Sequence, residues 1–452
     1  MADYDDDDIE TEEEEGPESE GAIFTNLRHD YSKAKDAKTI IDKQITEWND
    51  IYYGETTNAQ GEKQKSKMVM KEVAKFIEWQ KPNITEPFVA TQRPVKVTGQ
   101  DSIVSRIASK YLNTEFTRNF GRQKFIEDVA DVLSREGTVW VRTSWNFKEE
   151  KKTETLEGLF PEEALELEGE ISDIEVNEDG TISLDHEFTQ ILENNPHAEV
   201  CRNEHIFPDP SARTEDEMQF LCYRKEMTLS QLRESGLYDD DKLDKLKSKM
   251  EAKYDDTSLG QARDSDARNY GYDSTYQAND TARQKVDVIE YWGFYDMDGD
   301  GIAEPIIAVW VDKFNCDLRL EKNPFPQKKI PFHRQVYSSR PYSLWGNALA
   351  YFIGDLQRIK SGIVRGILDN MSLANNGQKF VQRGALDYVN FKRMTNGERH
   401  IIVNRPDSIE DGSYNALPQS VFQTLQMVDA EGQQLSGLTM GQALNSANGN
   451  KA

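Results

Sequence analysis

One long amphipathic stretch, Ser343 to Leu373, constrains this chain more than any other feature. Leu349, Phe352, Ile353, Leu356, Ile359, Ile363, Ile367 and Met371 recur at helical spacing, over about eight turns. Such a stripe predicts a single helix whose apolar side must be covered. Gly354, Gly362 and Gly366 stand inside it. An interior glycine costs a helix about 1 kcal/mol relative to alanine, so three of them imply close approach by another helix. Two arrangements meet that demand: burial in an ordinary bundle, or packing against copies of the same helix around a ring. Arg358, Lys360 and Arg365 punctuate the polar side, as solvated charges or as contacts to a polyanion.

Charge is distributed unevenly. The formal net charge is −27, yet residues 1–20 hold 12 acids and no base, and residues 149–187 hold 15 acids against Lys151 and Lys152. The remainder is close to neutral, which is not the basic footprint of a protein that grips nucleic acid tightly. The first run reads as a disordered, self-repelling tail over residues 1–22. A locally basic stretch lies at 379–399, where Lys379, Arg383, Lys392, Arg393 and Arg399 face Asp387 and Glu398. It is either a mixed surface or a loop making weak, sequence-blind, salt-sensitive contact with phosphates.

The remaining periodicities predict helices at 30–53, 66–80 (stopped by Pro82), 102–117 and 123–135, then a strand at 138–147. The acidic segment 149–187 reads as an excursion with a small hairpin. Strands follow at 197–207 and 218–226, and helices at 228–235 and 239–252. Residues 254–284 are a polar loop, and 286–295 pairs with 302–311 through an Asp/Gly turn. Residues 381–403 are mixed and strand-like, and 421–435 is a last amphipathic stretch. The fold class is therefore α+β, mainly helical, with roughly two to three lobes for 452 residues.

No run of 18 apolar residues suggests a membrane span. The opening Met1-Ala2-Asp3-Tyr4 leads into acid, so secretion is not expected. Cys201, Cys222 and Cys316 have no C-x-x-C spacing and read as buried small hydrophobes. Phosphate-loop, dinucleotide, zinc-protease and serine-hydrolase motifs are missing, and six histidines are scattered singly. Asp296, Asp298 and Asp300 before Gly301 match the opening of a calcium loop, but its closing twelfth position is Ile307. A hairpin turn is the plainer reading, with those aspartates weak metal candidates. No cofactor is expected.

Ser66-Lys67-Met68-Val69 leads a segment ending Ile77-Glu78-Trp79-Gln80-Lys81-Pro82, followed by Phe88. Together with the motifs that come after it in order, this resembles portal proteins of short-tailed bacteriophages. Gly137 to Trp145 is similar to the family's glycine-led strand, and Phe207-Pro208-Asp209-Pro210-Ser211-Ala212 to its PDP-x-A turn. Glu290-Tyr291-Trp292, the Asp296 hairpin, Asn323-Pro324-Phe325-Pro326, Trp345-Gly346-Asn347 and Asp355-Leu356-Gln357 continue the order.

This resemblance implies a non-enzymatic subunit of a ring of about twelve copies, set at one capsid vertex of the virion and assembled in the host cytoplasm. DNA would pass through it during packaging and ejection, bound weakly and non-specifically. The implied partners are the major capsid protein, the terminase large subunit and tail adaptor or head-completion proteins, with no membrane. The implied parts are a wing over 23–227, a first stem helix within 228–253, a clip-like β region over 254–330 and a second stem helix over 343–375. A tunnel loop follows within 376–400, then a wing return and C-terminal helix over 401–452. The chain ends at Ala452, where many relatives continue into a crown or barrel. Gly354, Gly362 and Gly366 would lie at the subunit interface, and Arg358, Lys360, Arg365, Lys379, Arg383, Lys392 and Arg393 near DNA. The alternatives are a metal-dependent DNA-processing nuclease and another virion structural or adaptor protein.

Overall fold

The computed structural model describes residues 20–55, 66–91, 93–118, 120–159, 170–176, 182–252, 280–325, 327–375, 379–396, 402–403, 407, 409–411 and 417–437. Among these the helices are α1 (Glu20–Tyr53), α2 (Glu72–Ala90), α3 (Ser102–Arg118), α4 (Arg122–Glu136), α5 (Leu229–Glu234), α6 (Asp240–Ala252), α7 (Leu349–Asn375), α8 (Tyr388–Thr395) and α9 (Gln419–Ser436). The strands of the two larger sheets are β1 (Thr138–Leu159), β2 (Glu170–Val176), β3 (Ile182–Cys201), β4 (Ile206–Pro208), β5 (Phe220–Thr228), β6 (Lys285–Tyr295), β7 (Glu304–Val311), β8 (Cys316–Lys322) and β9 (Phe332–Val336). Two short strands, β10 (Lys379–Val381) and β11 (Ile409–Asp411), complete the set. The class is α+β, as the sequence predicts. No helix among the described residues is long and apolar enough to cross a membrane.

The chain divides into two compact units. The first comprises residues 1–42, 88–129 and 138–345, and the second 43–87, 130–137 and 346–452. Helices α1, α2 and α4 contribute residues to both.

In the first unit an antiparallel sheet of order β4-β5-β6-β7-β8 has a core on each face. Leu229, Leu232, Leu243, Leu246 and Met250 of α5 and α6 pack on one side, with Val288, Trp292 and Val309. Phe24, Leu27, Tyr31 and Ala34 of α1 pack on the other, with Tyr291 and Trp310. Each large side chain so buried is worth about 1.5–3 kcal/mol. This packing is why α1 begins ten residues before the expected start at Asp30: burial of Phe24 and Leu27 outweighs the capping preference of an aspartate. The Asp209 carboxylate accepts bonds from Ser211 N (2.8 Å) and Gln219 N (3.1 Å), closing the β4–β5 connection around the PDP turn. Cys201, Cys222 and Cys316 are buried and form no disulfide, and burial pushes the Cys201 thiol up to about 12.

A second sheet has the order β2-β3-β1-β9. Arg142 of β1 joins it to the first through Glu290 of β6, at 2.7 Å. The β1–β9 ladder ends at Arg142–Phe332, but β1 and β3 continue as an antiparallel ribbon out to Leu159–Ile182, with β2 along the outer half of β3. The first part of the acidic segment therefore extends the predicted strand, and β2 pairs antiparallel with β3, as the expected small hairpin would. Residues 160–169 and 177–181 lie outside the described residues, as do the tail to residue 19 and the polar stretch 253–279.

In the second unit residues 66–71 run extended beside α7 instead of forming the first turns of α2. Their amides go to α7 side chains: Ser66 N to Asp369 (2.6 Å) and Met70 N to Ser361 (3.0 Å). Helix α2 then continues through Pro82 and Pro87, past the predicted stop. Ile45, Trp48 and Ile51 of α1, Val73, Phe76 and Ile77 of α2, Leu349 and Ile353 of α7 and Val428 of α9 are among this unit's buried apolar residues.

Candidate functional site

Helix α7 is held in its unit by a polar side chain within its apolar stripe. The Gln357 amide accepts a bond from Val73 N (2.9 Å) and donates to Ile51 O (2.7 Å), so one buried residue satisfies the start of α2 and the end of α1. Three residues on, the Lys360 ammonium meets the carboxylates of Glu72 and Asp429. Burial pulls its pKa down, but the hydrogen bonds to Asp429 and Glu72 win and hold it above the usual lysine value.

The three glycines have different surroundings. A Cβ on Gly354 would lie 3.1 Å from Ile51 Cδ1, so this glycine admits α1 within the same subunit. Cβ atoms on Gly362 and Gly366 would meet nothing within 4 Å. Both belong to an outward stripe with Tyr351, Asp355 and Ile359, and Tyr351 and Ile359 are largely exposed.

The basic candidates also separate. Lys360 is buried. Arg358 is half-exposed and bonds Glu47 (2.6 Å) and Asp355 (3.1 Å). The Glu47 hydrogen bond raises its pKa against a smaller effect of burial. Arg365 donates to Ser361 O of its own helix at 3.2 Å. Lys379 stands opposite Asp411 in the β10–β11 register. Arg383 is exposed in the following turn, and Lys392 and Arg393 are exposed in the last turn of α8. Asp387 caps that helix by accepting from Asn390 N at 2.7 Å. The strand-like reading of 381–403 missed α8, although an Asp followed by Tyr388-Val389-Asn390-Phe391 was the available signal. Tyr388 and Phe391 of α8 are exposed, so this segment presents aromatic and basic groups together. Arg399 lies outside the described residues.

At the Asp296 turn the carboxylates of Asp296, Asp298 and Asp300 lie within 4.8 Å of one another. Asp296 accepts bonds from Gly301 N (2.7 Å) and Gly299 N (2.8 Å), which lower its pKa. Its oxygens therefore fasten the β6–β7 hairpin, while Ile307 at the would-be twelfth position is buried in β7.

The model of the phage SU10 portal protein family matches residues 23–450, nearly the whole chain. The chain belongs to this portal family. As a portal protein it is a bacteriophage virion component of the head–tail connector, and the family is structural, not enzymatic. Portal proteins assemble as homo-oligomeric rings. The order of motifs from Ser66 to Gln357 was a sound guide to the family.

Proposed function

We propose that about twelve copies of this chain close head to tail into a ring at one capsid vertex. Double-stranded DNA passes through it during packaging and ejection, and it docks the major capsid protein, the terminase large subunit and tail adaptors. The observation that carries the ring geometry is the open stripe of α7, where Gly362 and Gly366 leave room for a neighbouring backbone. In this reading the fold is portal-like. Helix α7 is a stem helix, residues 376–400 form the tunnel loop, the β region within 254–330 faces the clip side, and the flanking segments 23–227 and 401–452 build the wing. The segment 228–253, within which α5 and α6 lie, is the remaining candidate for the first stem element.

A conduit must let its cargo slide. Every fixed cation on phosphate adds affinity through counterion release, and a ring multiplies the effect. Arg358, Arg365, Lys379, Arg383, Lys392 and Arg393 are sparse, and the first of them already has carboxylate partners. Contact with the duplex is then weak and salt-sensitive. Negative-stain imaging of the purified chain tests this function: rings with an open axial hole are expected, and a lone compact subunit overturns it.

A further inference from the structure

Helix α3 is turned with its polar side inward. Its Ser109 Oγ accepts a bond from Val97 N at 2.9 Å. Its Asn113 side chain, 7% exposed, accepts from Val95 N (3.1 Å) and donates to Val95 O (2.7 Å). Ile103, Ile107 and Tyr111, one turn apart on another side, are 61%, 62% and 44% exposed. A helix that packs Ser109 and Asn113 inward and leaves two isoleucines in water inverts the usual arrangement of a surface helix. The apolar stripe is flanked by exposed Arg106 and Lys110. Residues 91–124 hold seven Lys or Arg against two acids, within a chain of net charge −27. The face is thus apolar at its centre and basic at its edge.

The same chain carries a complementary surface. Along the β1–β3 ribbon Trp145, Phe147 and Ile191 are exposed, and so are Glu149, Glu150 and Glu193. Among the described residues 149–159, 170–176 and 182–187, nine acids stand against Lys151 and Lys152. Both surfaces lie in the first unit. We infer that the acidic ribbon of one subunit docks on the α3 face of its neighbour, with apolar groups meeting at the centre and opposite charges at the edge. The inference rests on the ring reading above and adds a second contact to it. Two unlike patches on one chain make a heterologous contact, the kind that repeats around a ring. Charge complementarity selects the ribbon over a second α3 face, since like charges opposed across an interface are unfavourable.

Charge exchange in the full-length chain tests this. Arg106→Glu with Lys110→Glu, and separately Glu149→Lys with Glu150→Lys, each raise the concentration needed for ring formation about tenfold or more in analytical ultracentrifugation. Combining all four restores it to within about threefold of the original. These side chains are exposed, so unchanged thermal melts of the four-fold variant and both pairs verify the fold. Pairs that assemble normally, or a four-fold variant no better than the pairs, overturn the inference while leaving the ring reading intact. So does an α3 pair that forms normal rings yet loses affinity for duplex DNA, because the face then serves nucleic acid. An unmodified chain that forms no ring overturns the ring reading itself, and this contact with it.

Discussion

Lys360 Nζ lies 2.5 Å from Glu72 Oε1, and the two side chains are only 10% and 9% exposed. This pair joins α7 to the start of α2, and it turns a residue expected near DNA into a structural one. Removing one partner of a buried ion pair leaves an uncompensated charge. Lys75 stays 3.3 Å from the other Glu72 oxygen and softens the loss. Lys360→Met is therefore expected to lower stability by about 2–3 kcal/mol in urea titrations, with DNA affinity unchanged. Arg358→Gln breaks only exposed pairs, and less than about 1 kcal/mol is expected.

Gly137 makes the same point with backbone. It has φ +76°, and a Cβ there would stand 2.5 Å from Ala348 N and 2.6 Å from Asn347 C. Gly137→Ala is expected to cost about 3 kcal/mol or more, because neither peptide atom can yield. Gly121→Ala is the control: φ is +59° with nothing within 4 Å, so about 1 kcal/mol is expected from left-handed strain alone. Thermal melts of the two variants should differ by several degrees.

The α7 glycines predict opposite phenotypes along one helix. Gly354→Leu should weaken folding by about 1–3 kcal/mol, since Ile51 already occupies the space. Gly362→Leu and Gly366→Leu should leave the subunit as stable as before, or more stable by about 1 kcal/mol each from helix propensity. Both should nevertheless block rings in negative stain. Normal rings carrying both leucines would place this stripe away from neighbouring subunits.

Lys38 gives a pH signature. Burial pulls its pKa down to about 8 despite the nearby Asp42 carboxylate, while its ammonium faces the Phe207 ring at 4.5 Å. In the unfolded chain the value returns to about 10.5. Between these values the unfolded state binds more protons, so stability should rise with pH from about 8 to about 10, by up to about 3 kcal/mol. Denaturation midpoints across that window should climb in the natural chain, and the Lys38 share of the climb should vanish in Lys38→Met.

The sequence revealed more of the elements than of their surroundings. Helices α3, α4, α6 and α9 and the β6–β7 hairpin lie within a few residues of their predicted positions, because period and turn chemistry are local. The start of α1 lies before the predicted position because Phe24 and Leu27 are fixed by a sheet whose first strand, β4, begins only at Ile206. The early part of α2 was misread because Asp369, Ser361 and Gln357 compete for its amides. Pattern also exposes three glycines on α7 without telling which faces Ile51. Strand β8 is not among the predicted elements, although Cys316 and Leu318 alternate inward, because two such positions are too short a pattern to mark a strand.

The inverted α3 bears on the life of the chain before it finds companions. Newly made copies carry bare isoleucines into a crowded cell, a liability for any protein produced in excess. Arg106 and Lys110 beside those isoleucines are exposed, and like charges on two such helices would oppose their sticking to each other. The charges that would choose a proper companion thus also guard an orphan copy against clumping with its own kind.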